Sequence, residues 1–193
     1  MSEIEKIESI KSVNIRSTDI KRRLLMSSDM VDAFETFLQE NISDEVLVVN
    51  TNIGMEVYYY SKNNYSDFIK ESVLLYTIKN TDHSKLKFTN NQNREAVYQS
   101  FCKALMTFAQ YPQIFLAYTK KFIHVKQKNK SSMHVIPILN SFFEEVFAFL
   151  SKTGKIPHFE KITKAKNKSP KSDPDSLIIQ DLISEILLKK HYN

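Results

Sequence analysis

The sequence predicts an all-α fold, and three observations carry that expectation. Its 193 residues include only two glycines and five prolines, too few for the many tight turns of a sandwich, barrel or propeller. Apolar residues recur at three- and four-residue spacing over most of the chain, the period of an amphipathic helix. A single cysteine, Cys102, leaves neither a disulfide framework nor a cysteine-clustered zinc site. With 42% hydrophobic and 25% charged residues, the composition is that of a globular protein with enough apolar material for a core.

Residues 1–15 read as a frayed lead-in, charged and without the apolar block of a secretory signal. From about Thr18 the pattern turns helical, through Ile20, Leu24 and Leu25, then Met30, Phe34, Phe37 and Leu38. Ser28 or Asp29 suits a cap within this stretch, and Asn41–Asp44 a helix end and restart. Residues 45–61 admit two readings. Val46–Val49 and Val57–Tyr60 are β-branched and aromatic about Asn52-Ile53-Gly54, which locally favours a hairpin slightly. Two short helices around a turn are the alternative, and the all-α expectation adopts them.

Ser66 is placed to cap a helix over Asp67–Ile78, and 81–91 is polar and loop-like. Asn93–Gln110 presents Val97, Phe101, Leu105 and Phe108 on one face. Tyr111-Pro112 breaks it, because proline disfavours helical geometry in the residue before it. A further helix runs from Gln113 to about Val125, followed by a basic loop over 126–132. Val135–Leu150 is apolar nearly all round, with Pro137 tolerable in its first turn and Gly154 just past its end. Residues 155–172 read as a lysine-rich linker. Asp173-Pro174-Asp175 then opens a last helix over about 175–190.

Charge is unevenly spread. Residues 1–70 hold 8 Lys and Arg against 12 Asp and Glu, and residues 71–193 hold 19 against 10. The excess gathers in Lys120–Lys130, with five lysines and no acid, and Lys152–Lys171, with seven lysines and only Glu160. The plain reading is solvated surface. The sharper one is an electrostatic patch for an anionic partner, either nucleic acid or a membrane surface.

Catalytic motifs find little support. Cys102 sits beside Phe101 on an apolar helix and has the setting of a buried thiol. The five histidines lack metal-ligand spacing. With Gly54 and Gly154 alone, a glycine-rich phosphate loop or nucleophile elbow is impossible. The expectation is a non-enzymatic protein without a cofactor, metal or membrane span, located in the cytoplasm. Tyr98, Phe101, Phe108, Phe115 and Tyr118 occupy two consecutive helices. They suit either plain core packing or a cavity for a small hydrophobic effector. The apolar helix 135–150 needs cover on several sides, and self-association with 175–190 as a homodimer supplies it.

The order of these elements resembles the tetracycline-repressor (TetR/AcrR) family of transcriptional regulators. The residues that carry the resemblance are FCKALMTFAQYPQIFLAY, 101–118, the apolar helix ending at Lys152-Thr153-Gly154, and Asn52–Tyr60 with Lys62-Asn63 and Phe68. It implies a helix-turn-helix-like unit over 1–64 and a helical effector and dimerisation domain over 65–193. It further implies operator DNA as a partner, met by Met55, Glu56, Tyr59 and Lys62, with Arg22 and Arg23 as an arm on the phosphates. The net negative charge of residues 1–70 opposes such a surface. The other reading is a helical interaction protein that uses its lysine-rich loops.

Overall fold

A computed structural model describes residues 8–18, 24–43, 45–77 and 83–167. The elements run β1 (Ser9–Ser17), α1 (Ser28–Asn41), β2 (Val46–Thr51), β3 (Gly54–Ser61) and α2 (Ser66–Thr77). A short 3-10 turn at His83–Lys85 leads into β4 (Leu86–Asn91), then α3 (Arg94–Phe108), α4 (Pro112–Lys128), α5 (Val135–Lys152) and α6 (Phe159–Asn167). The four strands form one antiparallel sheet in the order β2-β3-β1-β4.

The fold is therefore mixed α/β, which corrects the all-α expectation, and no helix-turn-helix forms over 43–60. The hairpin reading of that segment is the one realised. Val46 lies opposite Tyr59 and Val48 opposite Val57, joined by the two-residue turn Asn52-Ile53. The sheet is covered on both faces, so Val46–Val49 of β2 and Val57–Tyr60 of β3 read as unbroken apolar runs instead of alternating ones. One face buries Val13, Ile15, Val48, Met55, Val57 and Tyr59 against Phe34 and Leu38 of α1 and Ile69 and Val73 of α2. The other buries Ile10, Leu47, Val49 and Tyr58 against α3, α4 and α5. Three layers result, α1 and α2 on one side and the longer helices on the other.

Two segments expected as coil are strands. The lead-in forms β1, which lies between β3 and β4, and the polar stretch 81–91 contains β4. Because β4 pairs with β1, the segments 1–64 and 65–193 contribute to the same sheet. The expected loop over 126–132 begins as the last turn of α4, and the expected linker holds α6, anchored by buried Ile162. Helix α5 forms as the periodicity predicts and is covered by the sheet and its neighbouring helices. The helix expected over 175–190, and with it half of the proposed dimer contact, lies outside the described residues.

Side chains close the open edge of β2 and join it to α5. Glu35 and Gln39, one turn apart on α1, take the Val48 N–H at 2.7 Å and donate to the Val46 carbonyl at 3.2 Å. Capping those outward groups leaves less of the edge for another strand to pair with. Just before β2, Glu45 accepts from the backbone N–H groups of Met133, His134 and Val135 and from the Ser132 hydroxyl at 2.8–3.0 Å. The carboxylate thus sits at the first turn of α5, where orphan N–H groups and the helix dipole favour an anion. Partial burial works against its ionisation, but these bonds hold its pKa down at about 2.

Candidate functional site

The sheet carries a charged pair in its interior. Glu56, on β3, is 2% exposed and faces α4. Its Oε1 receives the guanidinium of Arg16 from the neighbouring β1. Its Oε2 accepts from the hydroxyls of Tyr58 at 3.0 Å and of Tyr118, on α4, at 2.6 Å. Burial, then the Glu56 charge, pushes both tyrosine hydroxyls well above their ordinary value. Burial alone would lower Arg16, and the charge and hydrogen bond of Glu56 reverse this and raise it. A buried carboxylate with three donors is satisfied, and losing one ionic partner leaves an uncompensated charge that costs about 3–5 kcal/mol. This cluster locks α4 to the middle of the sheet.

Tyr118 also forms part of the wall of a cavity of about 260 Å³ between α1, the end of β2, the β2–β3 turn and α4. Its lining is mainly apolar, with Val31, Val48, Ile53, Ile114 and Ala117 contributing. Helical spacing puts Val31 and Glu35 on one face of α1, and Ile114, Ala117, Tyr118 and Lys121 on one face of α4. An ion pair between Asp32 and Lys128 links the two helices at the exposed rim.

Two polar groups in the wall matter most. Glu35 is 7% exposed, and burial pushes its carboxyl pKa up, against the Val48 N–H bond and Lys128, which pull it down. Asn50 is 6% exposed; its amide donates to the Met26 carbonyl at 2.8 Å. The Asn50 Oδ1 atom is buried and has no hydrogen-bond partner. An unfilled buried acceptor is costly and uncommon, and this one belongs to a residue of the cavity wall. Small-molecule sites share this make-up, a mostly apolar hollow with a few placed polar groups.

The residues expected from the sequence fall elsewhere for the most part. Met55 and Tyr59 are fully buried toward α1 and α2, Glu56 is in the ionic cluster, and none of the three faces solvent. Lys62 is exposed just past β3, and Arg22 and Arg23 lie outside the described residues. Of the aromatic set, Tyr118 lines the cavity. Phe101 packs against Tyr58, Phe122 and Phe142, with Tyr98 on Phe142 and Phe108 on Tyr118. Phe115 is buried in the same core.

Sequence reasoning missed Glu35, Asn50 and Lys121. Glu35 left one trace, an acid on the same helical face as Val31 and Leu38, where an apolar residue is the norm. Among the described residues no group of three or more His, Cys, Asp or Glu side chains is arranged to hold a metal, and no helix is long and apolar enough to cross a membrane. No family model, curated protein or solved structure matches the chain.

Proposed function

We propose that this chain is a small-molecule-binding protein that holds a compact, largely apolar ligand bearing one hydrogen-bond donor in the cavity between α1, β2 and α4. The observation that carries the reading is the buried, unpartnered Asn50 Oδ1 in the wall of that cavity. A ligand donor satisfies it and removes the penalty of an unmade hydrogen bond. The lining carboxylates Asp32 and Glu35 are balanced by Lys121 and Lys128, which favours a neutral ligand over a charged one.

Indole and phenol, each an apolar ring with one donor, are suitable probes. Titrated into isotopically labelled protein, they are expected to shift the Asn50 side-chain amide and the Val48 backbone amide saturably. Ala117→Phe fills the hollow and is expected to abolish those shifts while the protein stays folded. Absence of saturable shifts at millimolar probe, or equal shifts in the filled variant, overturns the proposal.

A further inference from the structure

The two lysine-rich stretches, separated in sequence by the whole of α5, meet in space. Helix α5 turns the chain back so that α6 packs on α4. A second cavity, of about 330 Å³, opens between them. Lys126 of α4, Lys130 just past its end and Lys166 of α6 line it, and Glu144 is the one carboxylate among its described lining residues. The floor is aromatic, formed by Phe122 and Phe143.

Two of these lysines are positioned before any ligand arrives. Lys166 Nζ bonds both Glu144 oxygens at 2.9 Å and stands 4.2 Å from the centre of the Phe147 ring and 5.2 Å from that of Phe143. Lys126 Nζ donates to the Asn140 side-chain oxygen Oδ1 at 2.5 Å, a neutral partner. Lys130 is exposed at the rim. Among the described lining residues, three lysines against one glutamate leave two positive charges in excess. An ammonium has three donors, so a lysine already holding one acceptor retains capacity for another.

We propose that this hollow binds a phosphate monoester, whose two negative charges match the excess and whose organic part lies on Phe122 and Phe143. Lysine is a common phosphate ligand, acting as a point charge with freely aimed donors. A hollow of this volume exceeds what a bare phosphate fills, which argues for an ester over the inorganic ion. The ester has two sources, a soluble metabolite or the headgroup of an anionic lipid.

The test titrates the full chain with phenyl phosphate, and separately with phosphatidylcholine vesicles with and without phosphatidic acid. Phenyl phosphate is expected to bind saturably, and benzyl alcohol, with the ring but no charge, is not. In K126Q/K130Q the affinity falls about tenfold or more, the value of a charge-assisted hydrogen bond. E144Q, which removes the competing carboxylate, tightens binding, and K103Q on α3 leaves it unchanged. Saturable phenyl phosphate binding identifies a soluble ester. Binding confined to phosphatidic acid vesicles, and lost in K126Q/K130Q, identifies the headgroup. The proposal is overturned if neither probe binds, if K126Q/K130Q binds as the parent does, or if K103Q weakens binding equally.

Discussion

Glu45 and Glu35 are both held by backbone N–H groups, yet they pull stability in opposite directions with pH. The Glu45 carboxyl has an ordinary value of 4.5 and falls to about 2 in the fold. Its contribution is therefore complete above about pH 4.5 and is lost as pH drops toward 2. Removing the cap in Glu45→Ala should cost about 1–2 kcal/mol at neutral pH. Urea unfolding from pH 7 to pH 2 should show parent and variant converging at the acidic end. Glu35 is the reverse case, with a folded pKa raised by burial. Its carboxyl weakens the fold progressively as pH rises from 4.5 through that raised value. Glu35→Gln keeps an acceptor for the Val48 N–H but no charge. The variant is expected to match the parent near pH 4 and to unfold at higher urea near pH 8. A constant difference across that range would mean that Glu35 is solvated as an ordinary surface acid.

At the scale of elements, the β2–β3 hairpin depends on one glycine. Gly54 has φ +144°, a backbone region that side chains disfavour, and a Cβ there would lie 2.4 Å from the Ile15 carbonyl oxygen of β1. Gly54→Ala strains the turn and pushes β3 off β1 together. It should destabilise by about 1–3 kcal/mol or more, read as a lowered thermal midpoint. Helices α1 to α5 were legible in the sequence because each carries a run at the 3.6-residue period. Strand β1 was not. Its inward positions on one face, Ser12, Asn14 and Arg16, are polar residues whose partners Asn91, Ser100 and Glu56 are far along the chain. Nothing near them in sequence announces that burial. The same reason hid the candidate site. Asn50 and Glu35 look like an ordinary strand end and helix surface until α4, about seventy residues further on, closes over them.

At the scale of the whole molecule, the charge asymmetry of the sequence has a spatial counterpart. Lys120, Lys121, Lys126 and Lys128 lie on α4 and Lys161, Lys164 and Lys166 on α6, neighbours in the layer on one side of the sheet. The acidic residues of the first half are drawn partly inward, Glu35 and Glu56 to buried positions and Glu45 to a helix end. Reading net charge along the chain therefore misjudged which acids contribute to the outer field. The central place of β1 has one more consequence, for how the chain is made. Ile15 faces Met55 on one side and Phe88 on the other. During synthesis, β1 emerges before the other three described strands, has no neighbour among them until the hairpin follows, and lacks its second until residue 91 is out. Such long-range pairing is slow because loop-closure entropy is spent before contacts repay it. A nascent chain in that interval leaves uncovered Val13 and Ile15, which the finished sheet buries completely, and exposed apolar strand residues of this kind are what drive aggregation.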